Sequence, residues 1–351
     1  MDNQPTSATL ETRVARLPRV ARLVVLLMVL LLAAGLFLAA FQTPPLPIDQ
    51  TAPLRGDAAT YAEIVTRMQS GEPYYDAAHA VLRANGYGTA SVFNWRFPAW
   101  PTFLALLPGL GWAQALLGLC GIAAIILVAS EWRTTLGQLG TAGAALLTAL
   151  SLAGLLAPES VLFAEVAAGI LILLSFAAYA ADWRWLGVAA ALLALFVREL
   201  AAPAVIVALL YAIRDHRPRE VVVLLLGIAA FAVAYTLHAA VALARLGPDD
   251  LAYAEGWLQF GGLGFLARAA QFNGLFALAP VWLSALLLPL GLLGALAALP
   301  NLRAILVLVL FVAAFAIIGK PFNTYWGALF TPLMSLCVVW SLPAMRDLVR
   351  R

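Results

Sequence analysis

The sequence predicts an all-α integral membrane protein, a bundle of about nine to ten transmembrane helices. The first observation is composition: 64% of the 351 residues are hydrophobic and 11% are charged, whereas soluble domains have about 45–50% apolar and about 25% charged residues. The second is a mean hydropathy of +0.94. The third is spacing, because the apolar residues form blocks of about 18 to 25 residues, the length that crosses about 30 Å of hydrocarbon. A water-soluble globular chain is therefore excluded.

A series of apolar blocks follows along the chain. The first, 23–41, comes after four arginines and is longer than the roughly 7–15 apolar residues of a signal-peptide core. We therefore expect a cytoplasmic tail at 1–22 and a retained helix after it. Each later block is interpreted as a spanning segment, and 1–351 as a single membrane module. The later blocks are 111–130, 136–156, 160–181, 185–213, 220–244, 275–299, 302–319 and 324–344.

The block 185–213 differs from the others because Arg198 and Glu199 lie at its middle and both of its ends are basic. A single crossing would put Arg184 and the basic cluster at 214–219 on opposite sides of the membrane. A turn near Arg198 keeps both ends in the cytoplasm, as the positive-inside rule prefers. More than half of the 21 lysine and arginine residues then lie inside. We therefore expect a re-entrant or broken helix pair here.

The same orientation puts both termini in the cytoplasm and three polar segments outside. These segments are a first outer loop at 42–108, a second outer loop at 245–273, and the short link 320–323. Most acidic residues lie in them or near the outer ends of the helices. We expect a multi-pass protein of the cell inner (plasma) membrane, with its chemistry on the periplasmic or exterior face.

The first outer loop contains the pattern of two amphipathic helices. Apolar residues recur at helical spacing over 57–68 and again over 74–82, and the breaker Gly-Glu-Pro at 71–73 separates the two runs. Asp57 stands at the N-cap position of the first helix. Helices of this kind are expected to lie on the membrane surface, with Asp57 at the water boundary and facing a cavity.

Several short motifs resemble one group of enzymes. The stretch RGDAATYAEIVTRMQSGEPYYDAAHAVLRANGY at 55–87, followed by NWRFPAW at 94–100, is similar to the first outer loop of the polytopic glycosyltransferases of the GT-C fold. The likeness is greatest to bacterial members, of the family 87 and protein-mannosyltransferase type, that use polyprenyl-phosphate sugars. Phe-Val-Arg-Glu at 196–199 and Asn-Thr-Tyr-Trp at 323–326 also recur in them. The resemblance extends over roughly residues 20–345.

The resemblance implies a GT-C-like bundle and a reaction. An acceptor hydroxyl attacks the anomeric carbon of a polyprenyl-phosphate sugar, with inversion, and a carboxylate must take the hydroxyl proton. Asp57 matches the position of the family's catalytic acid and is the predicted base. Many relatives carry a second acid directly after the first, but Ala58 stands there in this chain. A divalent metal is therefore possible but not supported, and no other cofactor is expected.

The leaving phosphate needs a preorganised cation. Arg198 is the first candidate, because a guanidinium can bind phosphate oxygens through two parallel hydrogen bonds and an ionisable residue inside a membrane segment is by default a functional candidate. The weaker candidates are Lys320, Arg96 and Arg268. The predicted substrate-binding residues are Tyr61, Glu165, Glu199, Trp95 and Tyr325, of which the tryptophan and the second tyrosine would stack on a sugar.

Simpler interpretations exist for the same residues. Asp57 as a plain N-cap would contribute about 0.5–2 kcal/mol to stability without any catalysis. Arg198 and Glu199 would simply be exposed at the turn of their helix pair. The acidic pair at 249–250, after Gly-Pro, has the composition of a solvated turn.

The expected partners are a polyprenyl-phosphate sugar donor, a glycan or glycolipid acceptor, and the lipid bilayer. No nucleic acid is expected in spite of the pI of about 9.0, because the basic residues cluster at helix ends. Two alternatives remain. One is a transporter or flippase of a lipid-linked or polar substrate, which would place polar residues on broken helices near the midplane. The other is a non-catalytic GT-C-like assembly subunit.

Overall fold

The computed structural model describes residues 11–42, 56–252, 259–298 and 301–350. Within these ranges 78% of the residues are helical and no strand is present, so the predicted all-α class is confirmed for the described chain. Residues 1–10 of the predicted tail, 43–55 of the first outer loop and 253–258 of the second lie outside these ranges. The α-helices are α1 Arg19–Gln42, α2 Asp57–Gln69, α3 Tyr74–Ala84, α4 Ala99–Leu106, α5 Leu110–Leu155, α6 Ala164–Ala180, α7 Arg184–Val197, α8 Ala202–Arg214, α9 Pro218–Leu243, α10 Gly262–Gln271, α11 Val281–Ala297, α12 Arg303–Ile317, α13 Thr331–Val338 and α14 Ser341–Val349.

Among the described residues, three helices are long and apolar enough to cross a membrane: α1 over Arg19–Phe41, α5 and α9. The pair α13 and α14, bent by 55°, passes the same test as one broken span, and α6, α7, α11 and α12 are shorter apolar helices of 10–17 residues. Large apolar side chains such as Leu27 and Leu226 are exposed on the spanning helices. The described chain therefore has the character of a helical membrane protein, and the count of about nine to ten crossings stays a prediction.

α5 consists of two helical halves joined at one glycine. Gly137 leaves the helical region, with φ 69° and ψ 179°, a conformation that glycine adopts without the strain that a Cβ would add. The halves run back along each other, because the Gln114 side chain donates to the Leu156 carbonyl at 2.6 Å. A straight helix would hold these two residues about 60 Å apart. The two separate apolar blocks of the sequence are thus an antiparallel pair.

The helix pair at 185–213 breaks at Arg198, whose backbone is extended between α7 and the 3-10 turn Glu199–Ala201. The far ends of the pair meet at Arg303, whose guanidinium carbon lies 3.9 Å from the centre of the Tyr179 ring and 4.3 Å from that of Tyr211. Tyr179 lies in the last turn of α6, which the turn at 181–183 joins to α7, and Tyr211 lies in the last turn of α8. The chain therefore turns back near Arg198, as the charge pattern predicts.

The first and last described segments meet at one end of the bundle. Thr12 donates to the Asp347 carboxylate through its backbone N–H and its hydroxyl, both at 2.9 Å. The Trp132 ring, close to the turn of α5, packs against Trp340 at 5.5 Å. We call this the basic end, because it carries Arg22, Arg133, Arg184, Arg217, Arg303 and Arg346. The opposite end, which carries α2 to α4 and the turn at Arg198, is called the outer end.

Small residues bring one short turn into the centre of the bundle. A Cβ added to Gly169 on α6 would collide with the Ala328 carbonyl, and one added to Gly327 would collide with the Ala269 carbonyl on α10. Close approach through small residues is the usual basis of helix packing in membranes. The 3-10 turn Thr324–Leu329 is thereby held between α6 and α10 at the outer end.

The two amphipathic helices predicted in the first outer loop are present as α2 and α3. Their apolar faces do not lie on a membrane surface, since Ile64, Val81 and Leu82 are each at most 5% exposed within the protein itself. That expectation was wrong because α2 packs against α3 and against α4, a short helix that the sequence analysis missed. We call the three helices α2, α3 and α4 the outer layer.

The predicted second outer loop, 245–273, also contains a helix. α10 buries Phe265 and Leu266 in the bundle, and the Phe265 ring packs against Trp326 at 5.9 Å. The part of that segment at 262–271 is therefore core and not loop. Residues 244–252 connect α9 to this region and lie beside the outer layer, where the backbone N–H of Ala90 donates to the Leu251 carbonyl at 3.0 Å.

Candidate functional site

Asp57 is the first residue of α2, and the N-cap position belongs to Gly56. The predicted N-cap role of Asp57 is therefore wrong by one residue, and no side-chain hydrogen bond caps this helix. The Asp57 carboxylate instead accepts a short hydrogen bond on Oδ1 from the Tyr87 hydroxyl. Asp57 is half-buried, so Tyr87 holds its carboxylate inside the protein while part of the residue is exposed.

Tyr87 reaches Asp57 because the chain reverses after α3. Gly86 adopts φ 75°, which glycine tolerates best, and the Tyr87 N–H donates to the Leu82 carbonyl at 2.9 Å, a common helix C-terminal arrangement. The Tyr87 side chain is buried, and this burial, together with the charge of Asp57, raises the pKa of its phenol. Tyr87 therefore stays protonated and acts as the donor.

Arg96 lies between two tyrosines. Its Nε donates to the Tyr61 hydroxyl at 2.9 Å and its Nη2 donates to the Tyr325 hydroxyl at 2.6 Å. The Tyr74 hydroxyl fixes the same segment by donating to the Arg96 carbonyl. Burial raises the pKa of Tyr61, so this phenol is neutral at physiological pH. The groups that Arg96 touches therefore leave its positive charge uncancelled.

The second tyrosine of this group comes from the far end of the chain. Tyr325, in the turn Thr324–Leu329, donates through its hydroxyl to Asn323 Oδ1 at 3.1 Å. Its ring packs at 4.8 Å on Phe163, which also contacts the Tyr61 ring at 5.9 Å. The structure thus brings together the predicted residues Tyr61, Arg96 and Tyr325 from two separate parts of the sequence.

Arg198, Glu165 and Glu199 form a buried ion cluster. Arg198 Nε donates to Glu165 Oε1 at 2.7 Å, and Nη1 donates to Glu199. The Arg198 side chain is 5% exposed and that of Glu165 is 0% exposed, so the interpretation of Arg198 as an exposed turn residue was wrong. Three predicted residues do meet here, but the guanidinium already has two carboxylate partners.

The ion cluster and the Arg96 group are neighbours. The charges of Asp57 and Glu165 both act on Arg96, and Arg96 acts in turn on Arg198. An aromatic wall, which the sequence analysis missed, connects them: Phe97 packs against Phe196 at 6.4 Å, Phe231 at 5.6 Å and Tyr235 at 6.2 Å. Phe97 follows Arg96 directly and Phe196 lies two residues before Arg198, so the wall lies along both groups.

Trp95 does not lie on an open surface. The side chain is 2% exposed, its Nε1 donates to the Thr89 carbonyl at 2.8 Å, and its ring stacks on His79 at 5.4 Å. The predicted stacking on a sugar is incompatible with this position, because neither ring face is accessible. Trp95 instead holds the outer layer together.

The two remaining predicted cations, Lys320 and Arg268, also lie at the outer end. Lys320 is 3% exposed, and its Nζ lies 5.7 Å from the centre of the Phe322 ring. Arg268 is half-buried and lines a cavity of about 520 Å³ between α1, α5, α10 and α11. This cavity has both polar and apolar walls, and those walls include Ala40, Leu155, Ser160, Gln271, Asn273 and Thr324.

A separate cluster fastens the outer layer to the segment after α9. The Asp250 carboxylate accepts a hydrogen bond from the Gly247 N–H at 2.6 Å, lies 2.9 Å from His79 Nε2, and also accepts from the Thr89 hydroxyl. Burial alone raises the pKa of Asp250, but these hydrogen bonds lower it to about 2. The solvated-turn interpretation fits Asp249 and was wrong for Asp250, whose side chain is 1% exposed.

No family model, no curated protein and no solved structure matches this chain. Its function is therefore inferred from the contacts described above, together with the resemblance of its short motifs.

Proposed function

We propose that this protein is an inverting glycosyltransferase that moves a sugar from a polyprenyl-phosphate donor to an acceptor hydroxyl of a glycan or glycolipid. The reaction takes place at the outer end, on the non-cytoplasmic face of the cell inner membrane. The proposal includes a GT-C-like bundle of about nine to ten crossings, with the basic end in the cytoplasm as the positive-inside rule requires.

One observation carries the proposal: a carboxylate held by a tyrosine and a guanidinium with no direct carboxylate partner among the described residues lie at the same end of the bundle. Asp57 is held by the Tyr87 hydroxyl, and Arg96 is held by the hydroxyls of Tyr61 and Tyr325. Tyr61 lies one helical turn after Asp57 on α2, so the two groups are near each other. Glycosyl transfer from a lipid phosphate requires such a pair, a proton acceptor and a cation.

The chemical step then has defined roles. The acceptor oxygen forms a bond to the anomeric carbon while its proton passes to the Asp57 carboxylate. The bond from the anomeric carbon to the phosphate oxygen breaks, and its electron pair leaves with the polyprenyl phosphate. Arg96 stabilises the charge that develops on that phosphate. Tyr87 fixes one carboxylate oxygen of Asp57, so the other oxygen is directed toward the acceptor.

Arg96 replaces Arg198 as the first candidate for the phosphate. Arg198 would have to give up a carboxylate partner to bind a second anion, and breaking a buried ion pair costs about 3–5 kcal/mol. Arg96 has no such cost, because its partners are neutral phenols. The half-buried Arg268 supports a path for the carrier, since its cavity extends to Ala40 and Leu155 at the helix ends.

The decisive test is the pair of variants Asp57→Asn and Asp57→Ala, assayed for sugar transfer from a polyprenyl-phosphate donor and for thermal stability in detergent. Asparagine keeps an acceptor for the Tyr87 hydroxyl but cannot take a proton. We expect transfer to fall about 10²–10⁴-fold while stability changes little. The matched control is Asp76→Asn, because Asp76 lies in the first turn of α3 and is half-exposed.

Full transfer activity in Asp57→Asn would remove Asp57 from the mechanism. Absence of transfer in the wild-type protein with every donor, combined with movement of a lipid-linked sugar across vesicles, would favour the transporter or flippase. Absence of both activities would favour the non-catalytic assembly subunit.

A further inference from the structure

A second cavity, of about 750 Å³, lies at the basic end, remote from the proposed active site. Its size falls in the range of about 300–1,000 Å³ that is usual for small-molecule sites. It is formed where the turn between α6 and α7 meets the turn between α8 and α9. Its walls include Trp183, Arg184, Trp185, Arg217, Arg219 and Glu220.

The cavity is built to attract anions. Two helices, α7 and α9, begin at it, and neither has a side-chain hydrogen bond at its N-cap. The first-turn N–H groups of α7, and those of α9 after Pro218, which has none, lack partners within their helices. The positive ends of the two helix dipoles also lie at the cavity. Three arginines add charge, against Asp182 and Glu220. Glu220 is engaged below the cavity, where its carboxylate accepts from the Tyr179 hydroxyl at 2.9 Å.

One arginine of the cavity has its charge available. Arg184 pairs with Asp182 at 2.8 Å, and Arg217 pairs with Asp215 at 3.2 Å. Arg219 is exposed and makes no ion pair with any residue that the structure describes. An anion at Arg219 therefore displaces no internal partner.

The remaining walls indicate a lipid and not a soluble anion. Trp183 is 61% exposed and Trp185 is 57% exposed, and exposed tryptophans at the ends of apolar helices mark the membrane–water interface. The methylene groups of arginine and the indole rings pack against the part of a lipid headgroup that is nearest its acyl chains. The guanidinium groups bind the phosphate of the same headgroup. Basic pockets between membrane helices recognise anionic headgroups in this way.

We propose that this cavity binds the phosphate group of an anionic membrane phospholipid. Arg219 contacts the phosphate, and Arg184 contacts it through Nη1, which its pair with Asp182 does not use. First-turn N–H groups of α7 and α9 donate to the phosphate, and the two tryptophans hold the glycerol backbone at the interface. The bound lipid joins the α6–α7 turn to the α8–α9 turn, and it thereby stabilises the hairpin that carries Arg198 at its other end. This proposal is independent of the glycosyltransferase proposal.

The test uses the full chain purified in a mild detergent. Dihexanoyl phosphatidylglycerol, dihexanoyl phosphatidylcholine and inorganic phosphate are each titrated, and retained ligand is counted by native mass spectrometry while the unfolding temperature is followed. We expect phosphatidylglycerol to bind on the order of tenfold more tightly than phosphatidylcholine and to raise the unfolding temperature. Inorganic phosphate should neither bind at those concentrations nor displace the lipid.

The matched variants are Arg184→Gln with Arg219→Gln at the cavity, and Arg83→Gln with Arg245→Gln at the outer end. Both double variants remove the same charge from partly exposed positions. The first should lose the preference for phosphatidylglycerol and the second should keep it. Equal binding of the two lipids by the wild-type protein, or an unchanged preference in the first variant, would overturn the site. Displacement by inorganic phosphate would overturn the lipid as its ligand.

Discussion

Two arginines at the outer end, Arg96 and Arg198, are held in opposite ways. Arg96 donates to two phenols from different parts of the chain, Tyr61 and Tyr325. Arg198 donates to two carboxylates, Glu165 and Glu199. A charge attracts a carboxylate far more strongly than a neutral hydroxyl. Arg198 therefore has two direct carboxylate partners, whereas Arg96 has none among the described residues and interacts with the charges of Asp57 and Glu165 only without a direct contact.

The different partners of the two arginines indicate different roles: the charge of Arg198 stabilises the fold, and the charge of Arg96 is available to a ligand. The ion cluster of Arg198 joins α6 to the break between α7 and α8, so removing one member leaves buried charges without partners. The phenols around Arg96 position the guanidinium, and because they are neutral they do not offset its positive charge, which can then bind an anionic ligand. The comparison assigns stability to Arg198 and phosphate binding to Arg96, and each assignment can be tested.

The largest expected effect is on stability. Arg198→Leu leaves Glu165 and Glu199 buried without their cation, and it should lower the free energy of unfolding by about 3–5 kcal/mol, measured by denaturation in detergent. The triple variant Arg198→Leu, Glu165→Gln, Glu199→Gln removes all three charges and should recover most of that loss. If Arg198→Leu were as stable as the wild type and lost only activity, Arg198 would be the functional cation.

The second effect is on catalysis. Arg96→Gln removes the available charge but keeps a hydrogen-bonding group beside Tyr61 and Tyr325, so the fold should persist. Loss of one preorganised donor to a developing anion typically lowers turnover about 10²–10³-fold, and sugar transfer should fall by that factor. Arg96→Lys keeps the positive charge but loses the planar guanidinium that can donate two parallel hydrogen bonds, so its turnover should lie between those of the wild type and Arg96→Gln.

The control for Arg96 is Arg83→Gln, since Arg83 lies in the same outer layer and is 43% exposed. Transfer should be unchanged in this variant. If Arg96→Gln retained transfer while Arg198→Lys, at normal stability, lost it, the roles of the two arginines would be exchanged.

Much of the bundle was predictable because a membrane leaves few choices. An apolar block of about 20 residues in lipid must be helical, and the charge at 198 together with basic ends predicted the turn there. α4 and α10 were missed because segments of 8 and 10 residues are too short for that rule. Their burial depends on partners far away in the sequence, which no local pattern contains.

The site residues also fall into two groups: those that the sequence could identify and those that only the structure could identify. Asp57, Arg96 and Arg198 could be identified as polar residues beside apolar blocks and within resembling motifs. Tyr87 and Asp250 could not, because their importance comes from contacts 30 and 171 residues away along the chain, with Asp57 and His79 respectively. The partners of Arg198 were among the predicted residues, but its neutralisation by both of them required the three-dimensional structure.

The third prediction concerns how the outer layer that carries Asp57 is attached. Asp250→Asn should lower the stability of the protein by about 2 kcal/mol, since a pKa of about 2 in place of 3.8 corresponds to that amount at about 1.36 kcal/mol per unit. Asp249→Asn, a change at the neighbouring exposed carboxylate, should be nearly silent. Unfolding in detergent measures the stability of both variants. The loss in Asp250→Asn should add to that of Arg198→Leu, because the two sites share no contact within the described chain.

The stability that Asp250 contributes should decrease at low pH. A carboxylate whose folded pKa is lowered contributes stability that is fully present above its unfolded pKa, near 4, and that disappears as the pH falls through about 2. The difference between wild type and Asp250→Asn should therefore be near its full size at about pH 5, shrink as the pH falls toward 2, and be lost below about pH 2. A difference that did not change with pH would exclude the charge of Asp250 as its source.

The smallest predicted effect separates positioning from proton transfer. Tyr87→Phe removes only the hydroxyl that donates to Asp57, so the base is still present but is no longer fixed in orientation. We expect kcat to fall about tenfold, equivalent to about 1.4 kcal/mol, which lies at the low end for a hydrogen bond to a charged group. KM for the donor should not change, because Arg96 still binds the phosphate.

The control for Tyr87→Phe is Tyr75→Phe, because the Tyr75 hydroxyl lies 3.1 Å from His238 Nδ1 and not against Asp57. Because Tyr87 acts through Asp57, the double variant Tyr87→Phe, Asp57→Asn should be no slower than Asp57→Asn alone. If the two losses multiplied, or if KM rose while kcat held, Tyr87 would act on the substrate or on the fold and not through the base.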